Sequence, residues 1–180
     1  MADHIASGRR WRMRIAYLLI ALGVVYLQLL PFQTMPRGWA GPDLLVVLTV
    51  AWATRRPEYV PVLAVGVVFL LADLILLRAP GLLAAIMVIA RQTLRRQSLI
   101  LRDAPFPTEW ATAAATLVAI MLAERLALTI FLVDRAPLGL SVMQLFMNIL
   151  FYPLVVMASH LILGLRKSAP GDDDTLAGAT

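Results

Sequence analysis

The residues of this 180-residue chain that could do chemistry are ionisable and amide side chains set inside apolar stretches. Asp73 follows Phe69-Leu70-Leu71-Ala72, and Glu124 and Arg125 stand side by side within a long apolar run. Gln144 and Asn148, spaced i, i+4, share a helical face with Ser141 one turn before them. Asp43 opens another apolar run after Pro42, and Gln28 lies near the end of the first. A charge at the centre of a membrane helix costs about 2.5–3.5 kcal/mol on insertion scales, so each of these groups needs a partner or a task. Three readings are open. The groups form interhelical hydrogen bonds worth about 0.6 kcal/mol each, they line a cavity for a ligand or partner, or they relay protons or ions.

Signatures of catalysis do not stand out. No phosphate-binding loop, dinucleotide fingerprint or cysteine metal spacing occurs, and there is no cysteine at all. His4 and His160 are far apart in sequence, whereas a metal site needs several donors, so no metal and no cofactor is expected. No serine is flanked by a plausible base. The expectation is a protein that is not an enzyme.

The elements that position these groups follow from composition. Hydrophobic residues make up 61% and charged residues 15%, with mean hydropathy +0.81. A soluble domain has roughly 45–50% apolar and about 25% charged residues, so lipid is the expected solvent. Disorder, a collagen-like chain and a disulfide scaffold are excluded together. A bilayer crossing takes about 20 helical residues. Trp110 to Val133 and Leu138 to Leu165 are long enough, Ile15 to Leu30 extends through Pro31 and Phe32, and Val60 to Leu77 suffices. Leu44 to Thr54 is brief, and Gly81 to Ala90 runs into arginines. Counting all of them predicts an all-α polytopic membrane protein with six transmembrane helices over 15–165. A basic N-terminal tail over 1–14 and a disordered C-terminal tail over 166–180 flank them, and no small-x-small cleavage site follows the first span.

Charge sets the orientation. With both termini cytoplasmic, inside segments hold Arg9, Arg10, Arg12, Arg14, Arg55, Arg56, Arg91, Arg95, Arg96, Arg102, Arg166 and Lys167. Outside loops hold only Arg37, Arg78 and Arg135, a positive-inside bias that alternates at every loop only if both weak spans cross. The net charge of +5 thus reads as an orientation signal and not as a nucleic-acid footprint. Trp11, Trp39, Tyr59 and Trp110 fall where an interfacial aromatic belt belongs.

This topology assigns depths. Asp73 lies about 6 Å below the outer end of its span, and Glu124 and Arg125 about 12–14 Å below theirs. Nearly all intramembrane polar groups therefore fall in the outer half, which predicts an outward-facing polar cavity built from the second, third, fifth and sixth spans. Arg78 or Arg125 would neutralise Asp73 and Glu124. Pro42-Asp43 suits a helix start, Gly66 admits close packing beside Asp73, and Pro153 kinks the last span. Pro105-Phe106-Pro107 breaks the chain before the fifth span. Arg91, Arg95 and Arg96 read as a basic collar on anionic lipid or a docking site for a cytoplasmic protein.

Several motifs occur in a recognisable order. Gly41-Pro42-Asp43-Leu44-Leu45, Trp52-Ala53-Thr54-Arg55-Arg56-Pro57-Glu58 and Phe69-Leu70-Leu71-Ala72-Asp73-Leu74 resemble the rod shape-determining protein MreD family. Pro105-Phe106-Pro107-Thr108-Glu109-Trp110, Ala123-Glu124-Arg125 and Pro137-Leu138-Gly139-Leu140 continue the likeness, which runs from about Ile15 to Arg166. The resemblance implies a non-enzymatic protein of the bacterial cytoplasmic (inner) membrane. Its partners would be MreC first, then actin-like MreB, the glycosyltransferase RodA and its transpeptidase partner, in lateral peptidoglycan synthesis. It also implies a fold similar to the substrate-binding components of energy-coupling vitamin transporters, and hence the alternative of a small-molecule-binding transport component. By the family pattern, Asp43 and Asp73 belong to the outer cavity or a partner contact, Pro42 and Glu124 match beside them, and Arg55 and Arg56 anchor the inner loop or bind lipid phosphate. One departure stands out: many members have a glycine- and serine-rich loop where this chain has Leu76-Leu77-Arg78-Ala79-Pro80.

Overall fold

A computed structural model of the protein describes residues 2–30, 40–101, 104–132 and 137–163. Among these the chain is all helical, in the order α1 (Ala2–Leu29), α2 (Leu44–Arg55), a 3-10 turn (Pro57–Tyr59), α3 (Val62–Ile75), α4 (Leu82–Leu101), α5 (Phe106–Ile130) and α6 (Leu138–Leu163). Three stretches are long and apolar enough to cross a membrane: Gly8–Leu29, Phe106–Ile130 and Leu138–Ile162. Only 17%, 17% and 22% of their most apolar windows is buried. Their outward faces, carrying Leu19, Leu126 and Leu161, are broad apolar surfaces of the kind that water does not tolerate and lipid does.

The short helices are explained by where they sit. α2 touches α1, α4, α5 and α6, and its residues from Leu45 to Thr54 are all buried. A helix apolar all round belongs in a core. Screened from lipid by its neighbours, α2 has no bilayer thickness to match, and its 12 residues suffice. α3 buries Val65, Val68, Phe69, Ala72 and Asp73, an i, i+3, i+4, i+7, i+8 stripe, and packs chiefly on α4.

Long-range bonds fix the helix directions. The Asp43 amide donates to Asn148 Oδ1 at 2.7 Å, and Trp52 Nε1 donates to Ser159 Oγ at 3.0 Å, so α2 and α6 run the same way. Arg55 at the end of α2 meets Glu109 at the start of α5, so those two are antiparallel. Asp43, the end of α3 and the start of α4 therefore share one end of the bundle with the C-terminal half of α5. Arg55, the 3-10 turn and Glu109 share the opposite end.

Several sequence expectations change. The N-terminal segment is helical from Ala2, so the boundary at 14 does not separate a loose tail from the first span. Asp43 is the N-cap of α2, with its carboxylate accepting from the Val46 amide at 3.3 Å, and Pro42 precedes the helix. α3 ends at Ile75 and α5 at Ile130, which puts Asp73 two residues and Glu124 six residues from the helix ends, about 3 Å and about 9 Å. A Cβ at Gly66 would meet only Val88 Cγ2 at an ordinary 3.7 Å, so close packing does not require that glycine. Gly81 does need its freedom, at φ +78° ahead of α4. Tyr59 is buried beneath the Arg56 guanidinium, 5.9 Å from its ring, and does not belong to an aromatic belt. Trp39 and the tail at 166–180 lie outside the described residues.

Pro153 sits within α6, which continues through it. Proline has no amide to give the carbonyl four residues back, Ile149. Trp110 Nε1 donates to that carbonyl at 3.1 Å. In lipid an unsatisfied carbonyl costs several kcal/mol, so the indole compensates for the proline across the α5–α6 interface.

Candidate functional site

A cavity of about 380 Å³ opens at the end of the bundle where α2 begins. α2 contributes Asp43 and Val46, α3 contributes Asp73, and the α3–α4 connection Leu77, Arg78 and Ala79. α4 adds Leu82 and Leu83, α5 adds Glu124 and Arg125 beyond an apolar floor of Leu117 and Ile120, and α6 adds Ser141, Gln144 and Asn148. Asp43, Asp73, Glu124, Arg125, Gln144 and Asn148, all singled out in the sequence, meet here. α4 and the connection before it are parts of the wall that the sequence reading did not include. No lining residue is aromatic among the described residues; Tyr26 and Phe131 are largely exposed elsewhere.

The polar groups divide their partners unevenly. Asp43 is a hub: Oδ2 accepts from Arg78 Nη1 at 3.0 Å, while Oδ1 accepts from Val46 and, at 3.4 Å, from Gln28 Nε2. Arg125 Nη1 donates to Ser141 Oγ at 2.6 Å. Asp73 is fully buried; its Oδ2 accepts the Ala84 amide of α4 at 3.3 Å and its Oδ1 has no partner. The expected neutralisation is thus only partly met. Arg78 lies within electrostatic reach of Asp73 and Glu124, but its hydrogen bond goes to Asp43.

Backbone geometry brings Arg78 into the wall. α3 ends in a Schellman turn, the Arg78 amide donating to Asp73 O at 2.9 Å, with Leu77 in the left-handed region at φ 52°. Glycine usually holds that position, and leucine there stores strain of about 1–2 kcal/mol. The connection Leu76-Leu77-Arg78-Ala79-Pro80 therefore falls on the cavity rim.

The opposite end is built differently. Glu109, fully buried, accepts from Arg55 Nε at 2.7 Å and Nη2 at 3.4 Å, and from the Tyr152 hydroxyl at 3.0 Å. Arg91 is buried and donates to the carbonyls of Val60 and Pro57, both at 2.8 Å, while Arg14 donates to Glu58 O at 3.0 Å. The non-helical α2–α3 connection thus has its carbonyls satisfied by arginines from α1 and α4. Arg56 pairs with Glu58 at 3.1 Å. Nearer the middle, Thr49 donates to Leu45 O at 2.8 Å, so the Tyr17 hydroxyl, 3.0 Å from Thr49 Oγ1, is the donor of that pair.

Two expectations are corrected here. Arg55, Arg56 and Arg91 bond to protein and do not form a lipid-facing collar, with Arg56 and Arg91 holding the α2–α3 loop itself; of the α4 arginines only Arg95 and Arg96 are exposed. Nor are the polar groups confined to one half of the bundle, since Glu109 and Tyr152 form a second network. Sequence reasoning missed both as site residues. Helical spacing carried the signal, because Glu109, Ala113, Leu117, Ile120 and Glu124 form one face of α5, and Asn148, Tyr152, Val156 and Ser159 one face of α6.

The cavity's chemistry is recognition of charge and hydrogen bonds. Its three carboxylates outnumber its two guanidiniums. Among the described residues no three His, Cys, Asp or Glu side chains converge as a metal-ligand set. A second concavity, about 640 Å³ between α4 and α5, is lined by alanine, threonine, isoleucine and Gln97 and carries no ionisable group. No protein-family model matches the chain, and neither does any curated protein or solved structure.

Proposed function

We propose that the protein is a non-catalytic subunit of the bacterial cell-elongation machinery, with the polar cavity as the docking site for a helix of a single-span partner of the MreC type. The chain crosses the inner membrane six times with both termini inside, so that the cavity opens outward and the arginine-clamped end faces the cytoplasm. The observation that carries this reading is the cavity itself. Eight polar residues, from four helices and the α3–α4 connection, converge on an open hollow without aromatic lining among the described residues, at the end opposite the clamped arginines. Charged groups in lipid are retained where they serve recognition, because their insertion is costly. The order of motifs across the chain supports the elongation-machinery assignment, and the basic residues at the clamped end support the orientation. RodA, its transpeptidase partner and MreB are further members of the proposed assembly.

A transport component that binds a small molecule from outside is the second reading, favoured by the cavity volume, which falls within the range of ligand sites of about 300–1,000 Å³. The described lining, which holds no aromatic ring, gives no stacking wall for ring-shaped ligands. Co-purification from membranes with MreC tests the choice, comparing the wild type with Asp73→Ala and Glu124→Ala. Loss of the complex at unchanged expression is the expected outcome. Equal recovery in both variants would reduce the cavity groups to interhelical contacts.

A further inference from the structure

Asp73 Oδ1 is a buried side-chain oxygen without a hydrogen-bond partner, on a residue with no exposed surface in the wall of the cavity. A carboxylate oxygen left this way is expensive in a low-dielectric site, and either a proton or a cationic partner relieves it. Among the described residues the cations at this end already have bonds. Arg78 is held by Asp43 at 3.0 Å, and Arg125 donates to Ser141. Asp73's other oxygen takes the Ala84 amide, and the amides of Gly81 and Leu83 lie close to the same carboxylate. With Glu124 in the same wall, the cavity holds one more carboxylate than guanidinium. At the opposite end Glu109 meets Arg55 through two nitrogens, which shows what a completed carboxylate looks like in this protein.

We infer that the cavity is completed by a positively charged side chain, a guanidinium or an ammonium, carried by the membrane-embedded helix that docks there, with Asp73 Oδ1 as its acceptor and Glu124 as the second negative wall. This rests on the docking reading above and specifies what the docked helix must present: a lysine or arginine at the outer end of its span, reaching sideways into the hollow. A long, flexible basic side chain suits the site because its stem lies along Leu117 and Ile120 while its head reaches the acids. Among the described residues the carboxylates do not converge as a metal-ligand set, and a single unpartnered acceptor oxygen beside a hollow matches a side-chain ammonium or guanidinium.

The full chain in phosphatidylcholine nanodiscs is titrated with N-acetyl-arginine amide, N-acetyl-lysine amide and the uncharged N-acetyl-citrulline amide, reading the thermal midpoint. A rise with the charged probes, none with citrulline, and about tenfold weaker response in Asp73→Asn are expected, in line with a charge-assisted hydrogen bond. Asp73→Ser and Glu124→Gln serve as second variants should Asp73→Asn fail to elute as the wild type does. Equal response to citrulline, equal response of the variants, or no response to either charged probe overturns the inference. Co-purification then separates the two levels, with each lysine and arginine at the outer end of the MreC span changed to methionine. If the wild type retains no MreC, the docking reading itself fails. If MreC is retained regardless of Asp73 and of its own basic residues, docking stands and the cation does not. A probe response without dependence on the partner's basic residues assigns the site to a free amine and overturns the side-chain source.

Discussion

At one end of the bundle Glu109 is fully buried and meets both prongs of Arg55 and the Tyr152 hydroxyl; at the other Asp73, equally buried, keeps one oxygen unpartnered beside a hollow of about 380 Å³. The same residue class in the same solvent has been resolved in two ways. The clamped end closes Glu109, Arg55 and Arg91 with other parts of the chain and thereby holds α2, α5, α6 and the α2–α3 connection together. The cavity end leaves charge over for something else. On the proposed docking role, stability and recognition separate along the bundle axis, and substitutions at the two ends ought to differ in kind.

The largest effect is expected from Arg55→Ala, which leaves Glu109 as a buried, uncompensated carboxylate. The unfolding free energy in mixed micelles should fall by about 3–5 kcal/mol, with MreC lost only in proportion to folded protein. Arg91→Gln comes next. Removing two charge-assisted bonds to the Val60 and Pro57 carbonyls should cost about 2–3 kcal/mol, seen as early proteolysis within the α2–α3 connection. Either variant at wild-type stability would break the contrast, because the clamped end would then not be what holds the fold.

Smaller effects sharpen the comparison. Trp110→Phe keeps the ring and removes the donor to Ile149 O, and a loss of about 1–3 kcal/mol is expected, recovered when Pro153→Ala restores the helical bond. At the cavity rim, Leu77→Gly should stabilise by about 1 kcal/mol by relieving the left-handed leucine, measured as a raised thermal midpoint. Asp73→Asn should change stability least, within about 0.5 kcal/mol or slightly upward, since it removes an unpaired buried charge. A destabilisation by Asp73→Asn as large as that of Arg55→Ala would mean that both ends are structural.

Much of the cavity was legible in the sequence because charge in lipid is conspicuous. Asp43, Asp73, Glu124, Arg125, Gln144 and Asn148 interrupt apolar runs, and span topology alone puts them in the outer half. The clamped end was not legible in the same way. Glu109 stands two residues after Pro107 in a first helical turn, where an acid is ordinary, and nothing local shows that it faces inward. Charge counting across loops cannot tell Arg91, buried against carbonyls, from Arg95 one turn on, which is exposed. The shortness of α2 made it a weak span by length, and burial by its neighbours accounts for that shortness. The periodicities of α5 and α6 held the missing information, since they align Glu109 with Glu124 and Tyr152 with Asn148.

Photocross-linking along α6 tests the docking claim most directly. Benzoyl-phenylalanine replaces Gln144, in the cavity wall, or Leu161, exposed on the same helix outside it, and cells are irradiated intact. The account predicts an adduct with MreC from position 144 that Asp73→Asn diminishes, and none from position 161. Adducts of equal yield from both positions, or from 161 alone, would contradict it.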